Sequence, residues 1–424
     1  MNAVIEPTQT IEVVQRRKSA EAQGGLLSNH AFLNFWIGQA GTMLATQVFA
    51  VSLTWLLLQI TGSGTALGSV LVAAAIPRAL FILIGGAISD RVTRWKLLFR
   101  TVTINAIVMS VIAAMLSFDA LTLLPMYVLA VIYGLTDAFL FPAMYSSIPR
   151  LVRPDQLAQA NAFGSTTETI TNILGPAGGG FLIGLVGLPT TFLLTTGLYA
   201  LGALCFIRLR RYPDAFVSRP ADSGAGLGEQ VREGLGYAWS NRVIRLTLGI
   251  IAAINFAVLG PIVVGTAALV EVRLGNDPGV YGMLLAAFAI GALPGAIIAG
   301  TIRREISPAL MLALISFSMG IGLILTGFVE TALAAVIIYS LTGVGVGFGT
   351  VIATTWLQKR TPMELQGRVT GLLIFSAIAL DPFSNAFAGF MLDVSLTGLF
   401  VIAGGMMLGV GLLAFSQRHI REDS

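Results

Sequence analysis

Four ionisable side chains stand inside long apolar runs of this 424-residue chain: Arg78, Asp137, Glu168 and Asp381. A charge placed in hydrocarbon is costly, so each must face an interior, find a partner or titrate. Those options are the chemistry of a proton or cation relay, or of a charge pair that changes with conformation. Arg78 and Asp381 each lie about 12 residues from the basic end of their run, which at roughly 1.5 Å per residue puts both near mid-membrane. Asp137 and Glu168 lie about nine residues in from that same side. A static hydrogen bond serves either of these acids as well as proton carriage does. Enzyme chemistry lacks its parts: His30 and His419 are at opposite ends of the chain, and the single cysteine, Cys205, sits in an apolar run. No nucleophile with a base and no metal-ligand set emerges, so neither an enzyme nor a metal or cofactor is expected.

The elements that position these residues are apolar runs at 29–57, 66–89, 97–117, 121–145, 159–185, 188–207, 243–268, 280–301, 308–328, 331–356, 368–391 and 396–416. Each is long enough for a helix to cross a bilayer. Only 11% of the residues are charged, far below the fraction a soluble domain carries, and the mean hydropathy is +0.85; the expectation is an all-α membrane protein with twelve transmembrane helices. An even count puts both termini on one side. On that side fall the tail 1–28, the loops near 90–96, 146–158, 208–242, 302–307 and 357–367, and the tail 417–424, and counting the charges at the nearby helix ends these hold 23 of the 25 Lys and Arg. The opposite side holds only Arg273. By the positive-inside rule both termini are then cytoplasmic. The first 25 residues read as a polar tail of mixed charge, without the pattern of a cleavable signal. A pI of 9.4 does not indicate nucleic acid, because the basic residues are scattered among apolar runs rather than gathered with aromatics.

The longest polar segment, 208–242, divides the spans into bundles at 29–207 and 243–416. Within it Leu227, Val231, Leu235 and Ala238 or Trp239 recur at helical spacing, which predicts a short interfacial helix. A basic turn with a proline and a following acid precedes the fifth span at Arg153, Pro154 and Asp155, and recurs before the eleventh at Arg360, Pro362 and Glu364. Two related six-helix halves, pseudo-symmetric about a central site, follow from that repeat.

The loop after the second span carries Gly86, Asp90, Arg91 and Arg94. Gly, three residues, Asp-Arg, two residues and Arg is the loop pattern of the major facilitator superfamily, and the chain resembles that family over nearly its whole length. The branch it looks closest to holds macrolide effluxers and siderophore exporters. Thr93 stands where the family often has a second glycine, and the matching loop of the second half, from Gly300 to Arg304, is degenerate. The resemblance implies that Gly86, Asp90, Arg91 and Arg94 form a gate latch favouring the outward-open state; the same residues also serve as plain topological markers. Gly175, Pro176, Gly178 and Gly179 resemble the family's antiporter motif in the fifth helix, which moves the expected direction to efflux. A proline among glycines also reads as a packing bend. The arginine motif of many drug–proton antiporters is missing from the fourth span. Because the family's second and eleventh helices meet between the halves, the resemblance implies a state-dependent pair of Arg78 with Asp381. Glu168 and Asp137 are then the candidate proton sites, with Glu168 placed first because the bend follows it.

On the first span Gln39, Thr42 and Thr46 share one helical face. Together with Asn255 and Phe256 in the seventh and Tyr339 in the tenth, they are candidates for a cavity that accepts an amphiphile; each alone also reads as ordinary packing. The expected protein is a secondary transporter of the bacterial cytoplasmic (inner) membrane, a functional monomer in the lipid bilayer, exporting amphiphilic organic compounds by alternating access on the proton gradient. The alternative is a lipid- or lysophospholipid-flipping transporter of the same fold without obligatory proton antiport.

Overall fold

The structure, a computed structural model, describes residues 25–91, 93–212, 242–302, 308–360 and 380–416, and helix is the only regular secondary structure among them. α1 is His30–Thr61, α2 Gly64–Arg91, α3 Arg94–Ser117 and α4 Leu123–Leu151. One helical run, Leu157–Arg208, contains the fifth and sixth spans, labelled α5 (157–186) and α6 (188–208). The boundary between them is Gly187, at φ 76° and ψ 169°, a conformation a side chain would disfavour, two residues before Pro189. α7 is Arg242–Gly260 followed by a π-helical turn Pro261–Gly265 and the segment Thr266–Arg273. α8 is Pro278–Thr301, α9 Pro308–Thr326, α10 Ala332–Arg360, α11 Asp381–Val394 and α12 Leu396–Ser416.

These helices fall on the twelve apolar runs, and nine described stretches, the broken run counted once, are long and apolar enough to cross a membrane. The other two are α9 and α11; the eleventh run is described only from residue 380. The expected interfacial helix in the linker and the tails at 1–24 and 417–424 also lie outside the described residues. Large apolar side chains face outward along the bundle, among them Leu124, Leu204, Ile297, Leu333 and Leu413, as a hydrocarbon solvent requires. Hydroxyls inside the spans return to their own backbone: Ser52 donates to the carbonyl of Val48 at 2.8 Å and Thr195 to that of Thr191 at 2.8 Å.

The packing repeats with a shift of six helices. α2 packs on α4 as α8 packs on α10; α3 packs on α4 and the α5–α6 run as α9 packs on α10 and α12; α1 packs on the α5–α6 run as α7 packs on α11 and α12. Between the halves the seams are α2 against α11 and α5 against α8, again six apart. The fold is therefore two pseudo-symmetric bundles. Local chemistry secures the helix starts. Asn29 accepts the N–H groups of Ala31 and Phe32 at the head of α1, while its side-chain amide donates to the carbonyl of Leu151 at 2.7 Å, joining α1 to the end of α4.

The seventh span is less regular than its apolar run suggests. The hydroxyl of Ser384, on α11, donates to the carbonyl of Phe256 at 2.6 Å and accepts the N–H of Gly260 at 2.8 Å. It thus sits inside the i to i−4 ladder of α7, immediately before the π-helical turn and Pro261, which has no N–H to donate. Arg273, the basic residue expected alone on the far side, is engaged structurally: it donates to the carbonyl of Gly327 at 2.7 Å, just past α9, and to Thr397 on α12 at 2.6 Å.

Candidate functional site

α2 and α4 meet at backbone distance because Gly134 lies over Ala74, whose carbonyl a Cβ at position 134 would strike. One turn further along, Arg78 of α2 and Asp137 of α4 form an ion pair, Nε to Oδ2 at 3.2 Å. Asp137 is buried, whereas the Arg78 side chain is 35% exposed. Arg78 also lies within electrostatic reach of Asp381, the first residue of α11. The guanidinium therefore holds an ion pair within its own half and a longer-range attraction to a carboxylate of the other. In this conformation the direct partner of Arg78 is Asp137, where the small residue at 134 lets α4 lie against α2, and Asp381 is the outer member of a set of three.

Behind Asp137 lies a hydrogen-bonded layer that spacing does not reveal. The hydroxyls of Tyr199 and Thr46 are 3.0 Å apart, those of Tyr199 and Tyr133 are 3.4 Å apart, and Thr136 donates to Asn105 at 2.5 Å. α1, α3, α4 and α6 each contribute to it. The second half has a related contact between Thr266 on α7 and Tyr339 on α10, 2.5 Å between hydroxyls. The available signal was a tyrosine or amide at a buried position of an apolar run, where a polar atom needs a partner.

Glu168 is half-buried on α5 and accepts a hydrogen bond from the Tyr145 hydroxyl at 3.3 Å. Near it α1 and α5 are joined by Trp36 donating to Thr167 at 2.8 Å and by Gln47 donating to Asn172. The polar face expected on α1 is mostly packed inward. Gln39 and Thr42 are buried, with Thr42 donating to the carbonyl of Gly38 at 2.7 Å and lying against Gly202 of α6. Tyr339 is buried as well. In this conformation Gln39 and Thr42 pack between α1 and its neighbours, whereas Tyr339 lines a small cavity with Ile262, Phe288, Met319 and Thr342. Thr46 belongs to the tyrosine layer. Asn255 and Phe256 are half-buried on α7, and the Phe256 ring lies 5.7 Å from that of Phe387 on α11.

Around Pro176 the backbone stays helical, and the non-helical residue of the run is Gly187. The segment also packs closely on two sides. Gly175 and Gly179 lie against Gln47 and Val48 of α1, and Pro176 and Ala177 against Gly282 of α8; a Cβ at Gly178 would meet nothing within 4 Å. Gly86, Asp90 and Arg91 belong to the last turns of α2, and their side chains are outside the described residues. Arg94 opens α3, is buried and donates from Nε to Ser146 of α4 at 3.1 Å.

The family model of the Major Facilitator Superfamily matches residues 35–380. The chain belongs to this superfamily. It is 26% identical over 382 residues to the multidrug efflux pump Tap of Mycolicibacterium fortuitum, covering 88% of this chain and 92% of that protein. It is 22% identical over 396 residues to macrolide efflux protein A of Streptococcus pyogenes, covering 92% and 96%. The expected likeness to macrolide effluxers is borne out. Among solved structures, the nucleoside transporter NupG superposes with a TM-score of 0.71 at 13% identity, covering 91% of this chain and 98% of that one. The peptide transporter POT in complex with sulfate superposes with a TM-score of 0.72 at 13% identity, covering 93% and 95%. At such identities these two establish the fold alone. This superfamily member is a multi-pass membrane transporter.

Proposed function

We propose that this facilitator exports amphiphilic organic compounds across the bacterial cytoplasmic membrane by alternating access, driven by inward proton movement. It acts as a monomer, with both termini cytoplasmic and the halves 29–207 and 243–416 as moving bodies joined by 208–242. The observation that carries the reading is the set Asp137, Arg78 and Asp381. Two carboxylates and one guanidinium leave one negative charge unmatched, and a proton or a cation supplies the match. Asp381 comes from the opposite half, so its distance from Arg78 changes when the halves rock, and the charge balance changes with it. Asp381 is therefore the preferred proton carrier, ahead of Glu168, whose bond to Tyr145 lies within one half. The efflux proteins it resembles, Tap and macrolide efflux protein A, support the direction and the substrate class.

The test uses purified protein in sealed liposomes, with a fluorescent amphiphilic dye and a macrolide as probes. Uphill transport is expected with a pH gradient and is expected to stop when a protonophore collapses it. Asp381→Asn should lose at least about tenfold of uphill transport while keeping downhill exchange, whereas Glu168→Gln, which still accepts from Tyr145, should keep most of both. Flux indifferent to the gradient would sink the coupling and point to lipid flipping.

A further inference from the structure

At the end away from the basic loops, the two halves are tied by a carboxylate that the function above does not use. α2 starts at Gly64, and its first N–H groups need acceptors. Ser63 accepts from Ala66 at 3.3 Å, and its carbonyl accepts the first helical bond, from Leu67. The N–H groups of Gly64 and Thr65 are taken by Asp393 of α11, at 2.7 and 3.0 Å, and the Ser63 hydroxyl donates to the same carboxylate at 3.2 Å. Burial raises the Asp393 carboxyl, but the bonds from Thr65, Gly64 and Ser63 outweigh that and hold it below the ordinary carboxylate value. An anion at a helix start is favoured also by the helix dipole.

The pseudo-equivalent helix start in the second half is built differently. α8 is capped from within by Asp277, which accepts the N–H of Gly279 at 2.7 Å. α2 has no acid of its own and borrows one from a residue about 330 positions away in the other half. The seam beside it is bare backbone. Gly64 and Gly68 face Gly389 and Asn385, and a Cβ at Gly68 would come within 2.6 Å of the Asn385 carbonyl oxygen. Among the described residues, this carboxylate supplies the directional polar tie there.

We propose that Asp393 is the latch of the far-side gate: it closes on the N-terminus of α2 when the halves meet at that end, and releases it when they part. The inference rests on alternating access, not on the identity of what is carried. In a Cys205→Ala background, spin labels at Ala120→Cys and Glu330→Cys report the far-end separation of the halves, and labels at Ala120→Cys and Thr190→Cys report a distance within the first half. Measurements in nanodiscs without substrate or gradient keep the outcome independent of the export reading.

Asp393→Ala is expected to raise the ratio of far-side-open to far-side-closed forms by about five- to tenfold, the effect of a few charged hydrogen bonds at a helix start, and to leave the within-half distance unchanged. Asp393→Asn, keeping an acceptor oxygen without the charge, should shift it less. The deciding variant is Ser63→Asp combined with Asp393→Ala, which gives α2 an acid of its own half as α8 has. A latch leaves that double variant far-side open, whereas mere capping of α2 restores the wild-type distances. That restoration, or an unchanged cross-half distance in Asp393→Ala, would overturn the proposal. Should the alanine variant not fold, the asparagine variant is read the same way: a shift supports the latch and an unchanged distribution overturns it.

Discussion

Removing one partner of an ion pair in a poorly solvated place leaves the other charge stranded, and Arg78 with Asp137 is such a pair. Because the guanidinium keeps part of its solvent exposure, the cost is smaller than for full burial, about 1–3 kcal/mol. Arg78→Gln and Asp137→Asn should each lower thermal stability in detergent by that amount, and the double variant should lose less than the sum of the two. Strict additivity would show that the pair contributes no coupling. That Arg78 and Asp381 were functional candidates was legible from charge inside apolar runs. The direct partner was not, because it depends on Gly134 letting α4 touch α2, and hydropathy carries no information on which helices are neighbours. Asp393 was not singled out either, since an acid at the end of an apolar run reads as an ordinary helix terminus. Its signal was indirect: Gly64 and Gly68 stand four apart, a spacing suited to close helix contact, beside a helix start without an acid.

Helix boundaries were the most legible level, because a bilayer leaves the backbone no alternative to continuous helix. The break at Gly187 falls between the fifth and sixth apolar runs as expected. The irregularity in α7 was invisible, since its cause is a hydroxyl from α11 that lies 128 residues from Phe256 in sequence. Ser384→Ala removes that insert. The N–H of Gly260 then regains the Phe256 carbonyl directly, the upper part of α7 straightens, and the α7–α11 contact loses two hydrogen bonds. The expected loss is about 1–2 kcal/mol, read as a lower melting temperature together with slower amide exchange at Gly260 as the helical bond reforms. Faster exchange at Gly260 would mean that the hydroxyl supports the ladder rather than interrupting it. The glycine–proline segment of α5 illustrates the opposite limit. Its composition was plain, but whether it bends the helix or admits neighbours depends on what lies opposite, and here α1 and α8 do.

At the scale of the whole molecule, the α5–α8 seam between the halves is closed at the far end by backbone contact. On α8, Gly282 lies over the carbonyl of Pro176 and the Cα of Ala177, and Gly180 of α5 lies over the carbonyl of Pro278. Nearby, the rings of Trp55 and Tyr281 stack across the halves with centroids 6.1 Å apart. The backbone contacts of this seam leave no room for a larger residue, which would prevent closure. Gly282→Leu puts a branched side chain where α5 has its backbone. Overpacking of this kind costs about 1–3 kcal/mol against the closed form, a factor of roughly 5 to 150 in the population ratio. A cysteine in place of Gln47, which lies on α1 beside α5, reports the opening in a Cys205→Ala background. A membrane-impermeant maleimide added to intact cells should then label Gln47→Cys faster when Gly282→Leu is present. Gly197→Leu is the matched control, because a Cβ there meets nothing within 4 Å. Equal acceleration by both substitutions would mean a general loosening of the bundles, and no acceleration by Gly282→Leu would mean that the α5–α8 seam does not limit access from that side.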